Sequence, residues 1–79
     1  MGTSKVRRVS GGDYRDRVSA RIRAARETAG LSQTQLAQRL GVADKQVSRW
    51  EHGTMPRPAT LERIAAELGV TANWFFRDD

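Results

Sequence analysis

The feature that most constrains this chain is a pair of short apolar-patterned blocks, residues 33–40 and 44–52, separated by Gly41 and closed by Gly53. Apolar residues recur in both blocks at helical spacing: Leu36, Ala37, Leu40, Val47 and Trp50. A glycine between two such blocks allows the left-handed backbone that a sharp turn needs. Two helices joined this way cross at roughly 90–120° and leave the second helix exposed. The sequence therefore predicts a helix-turn-helix unit over residues 33–53.

The second helix of this unit is predicted to carry a polar outer face. If Val47 and Trp50 point into the core, the residues that point outward are Asp44, Lys45, Ser48 and Arg49. An arginine or lysine on such a helix can donate to guanine O6 and N7, and an aspartate can accept from cytosine N4. These four residues are therefore candidates for reading base edges in the major groove of DNA; the alternative is an ordinary solvated helix face.

Polar residues at the two flanks of this face are candidates for binding DNA phosphates. Gln33 begins the first helix, where free backbone N–H groups already favour an anion. Gln46 could read adenine or bond a phosphate. On the other flank, the candidates for phosphate binding are His52, Thr54 and Arg57, which follow the second helix. His52 is equally well explained as a polar residue at a helix end.

The rest of the chain also shows helical patterns. Asp13 is a plausible N-cap for a first helix that ends at Gly30, and Ser32 with Gln35 forms a capping box for the second. A fourth helix is expected over about 59–68 and a short last one over 72–76, with Thr71 as its N-cap. No segment alternates with a period of two. The predicted fold class is all-α, a compact five-helix bundle.

Length and composition restrict the function classes. The chain has 79 residues, which suits one small domain, and no cysteine, which excludes disulfides and thiolate metal sites. One histidine and no clustered carboxylates predict no metal and no cofactor. No recognisable nucleophile–base pair and no glycine-rich phosphate loop are present, so an enzyme is not expected. No apolar run approaches the ~20 residues of a membrane span, and no signal peptide is apparent, so a cytoplasmic protein without a membrane partner is expected.

The charge is unevenly placed along the chain. The net charge is +5, and residues 1–12 carry Lys5, Arg7 and Arg8 without an acidic residue. We interpret residues 1–12 as a flexible basic arm and residues 13–79 as a DNA-binding domain. A basic first half favours a polyanion as partner, although ordinary solubility explains the same charge. As a hypothesis, the arm reaches the DNA backbone or minor groove.

Two further features concern packing. Arg26 and Glu51 are a candidate ion pair if the first helix packs across the third, and two unrelated surface charges are the alternative. Trp74, Phe75 and Phe76 crowd the end of the chain, and one short helix cannot bury all three. The remaining aromatic residue is expected either to make a subunit contact or merely to cover the floor of the domain.

Three segments carry a resemblance to a known family: LSQTQLAQRLGV, VSRWEHG and TLERIAAELGVTANWFF. Over about residues 19–76 they resemble the Cro/C1-type (XRE) helix-turn-helix family, and in particular the DNA-binding domains of lambdoid phage repressors. The resemblance implies a lambda-repressor-like domain that binds palindromic operators as a two-fold symmetric homodimer, with half-sites about 34 Å apart.

The resemblance also implies roles for particular residues. Asp44, Lys45 and Arg49 fall on base-reading positions, and Gln33, Gln46 and His52 on phosphate-contacting ones. Arg26 and Glu51 fall on a buried salt bridge near the DNA backbone. The positions near the dimer contact are Arg57, Pro58 and the region from Ala72 to Phe75. Asp44 stands where the family has a neutral residue, so a known operator sequence cannot be transferred to this chain.

The sequence therefore predicts a sequence-specific transcriptional regulator of double-stranded DNA, acting as a repressor. One alternative is an antitoxin that represses its own operon and has a toxin as partner. Another is a protein-interaction adaptor that has lost DNA binding, which Lys45 and Arg49 argue against.

Overall fold

The computed structural model describes residues 11–77, with side chains from residue 15 onward. The helical elements are α1 (Gly11–Thr28), α2 (Gln33–Leu40), α3 (Asp44–Trp50), α4 (Pro58–Leu68) and a 3₁₀ segment (Ala72–Phe76). Within this range there is no strand, as the sequence predicts. None of the described helices is both long and apolar enough to cross a membrane.

The prediction of five helices needs one correction, because only four of the described elements are α-helices. The fifth is a 3₁₀ segment whose backbone bonds join residues three apart, such as Trp74 N–H to the Thr71 carbonyl at 3.1 Å. Five residues are too few to establish a stable run of α-helical bonds. Thr71 is nevertheless the N-cap, and its hydroxyl accepts a hydrogen bond from Trp74 N–H.

The start of α2 and the turn after it follow the predicted local chemistry. The Ser32 hydroxyl accepts from Gln35 N–H at 3.0 Å, and the Gln35 side chain accepts from Ser32 N–H at 2.8 Å. This capping box satisfies two backbone donors that the helix itself leaves unpaired. Gly41 has a φ of 74°, which turns the chain towards α3.

The predicted bounds of α1 and α3 need correction, since α3 ends at Trp50 and not at His52. Helix α1 begins at Gly11, two residues before Asp13, so Asp13 is not its N-cap. Helix α3 follows Ala43, whose side chain makes no capping hydrogen bond. The predicted basic arm lies mostly outside the described residues, since its structure is described only from residue 11.

The core is formed by apolar residues of all five elements. The buried apolar side chains are Val18, Ile22, Ala25, Leu36, Ala37, Leu40, Val47, Trp50, Leu61, Ile64, Ala65, Leu68 and Phe75. Phe75 closes this core from the 3₁₀ segment, while Trp74 and Phe76 are half-buried at its edge. One short helix thus does not bury all three rings, as predicted, but none of the three is exposed.

Polar contacts from α1 and α4 hold the helix-turn-helix unit in place. The Ser19 hydroxyl accepts from Gly53 N–H at 2.9 Å, and Arg63 donates to the Leu40 carbonyl at 2.6 Å. Two residues after Ser19 on α1, Arg21 donates to the Trp74 carbonyl at 3.0 Å and lies 4.9 Å from the Trp74 ring centroid. These contacts join α1, the unit and the 3₁₀ segment into one body.

The buried position of Phe75 generates a stability prediction. Substitution Phe75→Ala should lower the free energy of unfolding by about 3–5 kcal/mol, because it removes a fully buried ring and leaves a cavity. Substitution Phe76→Ala, at the half-buried neighbour, should lower the free energy of unfolding by clearly less. Urea denaturation followed by circular dichroism measures both, and equal losses would contradict the assigned positions of the two rings.

Candidate nucleic-acid interface

The polar face of α3 lies opposite its two core residues. Val47 is fully buried and Trp50 is 2% exposed, so the orientation of this short helix is fixed by packing. Asp44, Lys45 and Arg49 are exposed on the other side, with Ser48 and Gln46 half-buried. The residues that the sequence assigned to base reading are therefore brought together on one accessible helix.

The cations of this face differ from those of the scaffold in their bonding. Several arginines are engaged within the protein: Arg21, Arg23, Arg26, Arg39 and Arg63. Lys45 and Arg49, in contrast, are exposed and have no side-chain partner among the described residues. The same holds for Arg57 in the loop before α4. Helix α3 and this loop therefore present cationic groups that are available to an anionic ligand.

Behind α3, a buried ion pair joins three parts of the chain. Arg26 Nε donates to Glu51 Oε2 at 2.6 Å, and Arg26 Nη2 donates to Oε1 at 3.1 Å. The third nitrogen, Nη1, donates to the Leu31 carbonyl at 2.8 Å. The Glu51 side chain is 1% exposed. Its hydrogen bonds, despite the opposing effect of burial, raise the pKa of the Arg26 guanidinium above its usual value.

Gln33 is drawn into the same network. Its side-chain Nε2 donates to Glu51 Oε1 at 3.0 Å, and the residue is half-buried at the start of α2. A primary amide carries two hydrogens, so one remains for a second acceptor. The ion pair thus orients a polar side chain beside the free N–H groups of the α2 N-terminus.

The remaining candidate phosphate contacts lie directly after α3. His52 is exposed, and its Nδ1 is 2.6 Å from the Ser48 carbonyl, so the ring is held against the end of the helix. Thr54 is also exposed, and its backbone N–H donates to the Arg49 carbonyl at 3.0 Å. These residues continue the exposed edge of α3 towards Arg57.

A contact that the sequence analysis missed joins α2 to α3. The Thr34 hydroxyl donates to Asp44 Oδ2 at 2.7 Å, although the two residues are ten positions apart. No local pattern indicates this pair, because it forms only where the two helices approach each other. Asp44 is therefore held from the α2 side.

Two of the candidate dimer residues line a mainly apolar cleft of about 350 Å³. It is lined by Met55, Pro56, Pro58, Leu61, Ala72 and Phe76, and by one charged residue, Glu62. Pro58 and Ala72 thus line the cleft, with Arg57 exposed next to Pro58. Phe75 does not: its side chain is fully buried, so its assignment as a dimer contact is corrected. The neighbouring Phe76 occupies the cleft because a 3₁₀ turn sends adjacent side chains in different directions.

Comparisons with known proteins place this arrangement in context. The family model for the helix-turn-helix family HTH_3 matches residues 22–75. An uncharacterised HTH-type transcriptional regulator of Sinorhizobium medicae is 37% identical over 62 residues, which cover 77% of this chain and 45% of the relative. The chain thus spans about half the length of this curated relative.

Solved structures share the fold. The biofilm master regulator SinR, solved in complex with DNA, superposes with a TM-score of 0.71 at 31% identity, over 76% of this chain and 98% of SinR. The iron(II) protein HppE superposes with a TM-score of 0.75, over 81% of this chain and 34% of HppE. At 24% identity, the likeness to HppE shows the fold alone.

The buried ion pair generates a second stability prediction. Substitution Arg26→Met should lower the free energy of unfolding by about 3–5 kcal/mol, because it leaves the Glu51 carboxylate buried without its cation. The double variant Arg26→Met with Glu51→Leu should lose less than Arg26→Met alone, since both charges are then absent. Urea denaturation of the two single variants and the double variant measures the coupling free energy between Arg26 and Glu51. If the double variant lost the sum of the two single losses, the pair would not be energetically linked.

Proposed function

This chain belongs to the HTH_3 (Cro/C1-type) helix-turn-helix family, and we propose that it is a repressor that binds a palindromic DNA operator as a homodimer. In this proposal α3 enters the major groove, and transcription is blocked by occupation of promoter DNA. The protein would act in the cytoplasm.

The observation that carries the proposal is the pair of unpartnered cations on α3. Lys45 and Arg49 are exposed and have no partner within residues 11–77, on a helix whose opposite side is anchored by Val47 and Trp50. Because packing already fixes the helix, only the two side chains need to be ordered on binding, and their charges are available to DNA. This arrangement also disfavours the adaptor alternative, in which such residues have no role.

The roles of the reading residues follow from their chemistry. Arg49 can form two parallel hydrogen bonds to guanine O6 and N7, and Lys45 can bind the same edge less rigidly. Ser48 lies between them and can donate to or accept from a base. Asp44 accepts hydrogen bonds only, so it repels phosphate and selects for a donor such as the cytosine amino group.

The phosphate contacts would come from both sides of α3. On one side, Gln33 offers its remaining amide hydrogen next to the N-terminus of α2. On the other side lie His52, Thr54 and Arg57, and Gln46 lies on α3 itself. The basic arm of residues 1–12 would add further backbone contacts.

Dimerisation would use the apolar cleft between the α3–α4 loop and the 3₁₀ segment. Pro58 and Ala72 line it, and the exposed Arg57 stands at its rim. Two copies joined there would present their α3 helices to half-sites about one helical turn apart.

The proposal predicts a selective loss on removing one side chain. Substitution Arg49→Ala should weaken binding to the preferred operator by about 5- to 150-fold, equivalent to the roughly 1–3 kcal/mol of a good base contact. Arg39→Ala is the matched control, because Arg39 is exposed on α2 but lies 3.8 Å from Glu67 as an ion pair. The operator is first obtained by iterative selection from random duplex DNA at ~150 mM salt.

Two outcomes would contradict the proposed base reading. One is that the chain enriches no DNA sequence. The other is that Arg49→Ala and Arg39→Ala have equal effects, which would indicate general charge attraction rather than recognition.

The dimer proposal has its own test. Substitution Ala72→Glu should place a charge in the apolar cleft and abolish the preference for a two-half-site operator over a single half-site. Ala66→Glu, at an exposed position of α4, is the matched control and should keep that preference. Fluorescence anisotropy on both duplexes measures it. Retained preference in Ala72→Glu would place the dimer contact elsewhere.

A further inference from the structure

The hydrogen bond between Thr34 and Asp44 lies at the exposed junction of α2 and α3. Thr34 is the second residue of α2 and Asp44 is the first residue of α3, and both are exposed. The Thr34 Oγ1 atom is 2.7 Å from Asp44 Oδ2. An ionised carboxylate has no hydrogen to give, so the hydroxyl is the donor.

This bond fixes the carboxylate and leaves one of its oxygens available. Asp44 makes no other side-chain hydrogen bond or ion pair within the described part of the chain, so Oδ1 has no protein donor. An aspartate without such a bond would rotate freely at a helix start. Held from α2, it presents an acceptor in a defined place at the exposed start of α3.

The bond is not required to hold the two helices together. Their crossing is already determined by packing, since Ala37 and Val47 are fully buried between them and Trp50 is 2% exposed. A bond between two exposed side chains adds little to that core. Its distinctive effect is on the direction of the carboxylate.

The acceptor-only chemistry of Asp44 favours one base. In the major groove cytosine presents its N4 amino group as a donor, whereas guanine presents two acceptors and thymine an acceptor and a methyl group. Adenine has a donor, but its N7 acceptor lies beside it and repels a carboxylate. A fixed carboxylate therefore discriminates for cytosine more sharply than a rotating one.

We propose that Thr34 is a specificity-determining residue: it positions Asp44 so that each half-site prefers cytosine at one base pair. The inference rests on the proposed function, in which α3 lies in the major groove. It adds a residue outside α3, with a role in selectivity and not in affinity for DNA in general.

The experiment uses the full 79-residue chain and compares the bases selected at each operator position. Substitution Asp44→Asn identifies the position that Asp44 reads. At that position Thr34→Val, which keeps the shape but removes the donor, should reduce the preference for cytosine by about 3- to 10-fold, a part of one base contact. Thr34→Ser, which restores the hydroxyl, should keep the preference within about twofold of the unsubstituted chain. Thr28→Val, at the exposed end of α1, is the matched control and should change no position.

Three results would overturn the inference. An unchanged base preference in Thr34→Val, with the operator still bound, would remove the role of Thr34 and leave the proposed function intact. An equal loss of binding to all duplexes, in a variant whose thermal unfolding is unchanged, would show a general role instead of a selective one. Failure of the unsubstituted chain to enrich any operator would overturn the proposed function and this inference together.

Discussion

The buried contact between Arg26 and Glu51 is the constraint on which the geometry of the candidate interface depends. Burying two charged side chains costs free energy of desolvation. This cost is offset only if the ion pair has good geometry and the remaining hydrogen-bonding groups of both side chains also find partners. Here the guanidinium spans Glu51 and the Leu31 carbonyl, and Gln33 adds a further donor to the carboxylate. A pair with so many fixed partners tolerates little displacement. It therefore locates the end of α3 relative to the α1–α2 connection and to the first turn of α2.

The cationic side chains of the described residues fall into two groups, those that bind other parts of the protein and those that do not. The arginines of the scaffold satisfy carbonyls and carboxylates: Arg21 binds the 3₁₀ segment, Arg63 binds the end of α2 and Arg26 binds Glu51. Their charge contributes to internal structure. Lys45 and Arg49 have no such partner in the described range, although they stand on a short helix that Val47 and Trp50 anchor in the core. The net charge of +5 does not show which cations belong to which group. The hydrogen-bond and ion-pair partners of each residue show it.

The parts of the fold that the sequence predicts are those fixed by local chemistry. The Ser32 capping box, the turn at Gly41 and the buried side of α3 each depend on residues a few positions apart. The start of α1 was placed wrongly because Asp13 is a good N-cap, yet the helix continues to Gly11. The order of the last aromatic residues was also not predictable, because an α-helix and a 3₁₀ segment direct Phe75 and Phe76 differently. The Thr34–Asp44 bond depends on the crossing of two helices, which no sequence spacing encodes.

The small number of free cations bears on why two copies would be needed at an operator. Each phosphate contact contributes a slope of only about −0.9 to the dependence of log affinity on log salt, and Asp44 works against non-specific attraction. Three cations on this face, Lys45, Arg49 and Arg57, have no partner in the part of the chain that the structure describes. A single domain is therefore expected to hold a half-site weakly. Two domains on one palindrome bind as a unit, because the first positions the second at a high effective concentration. The base preferences of Asp44 and Arg49 would then act at both half-sites of the operator, while attraction to unrelated DNA stays low.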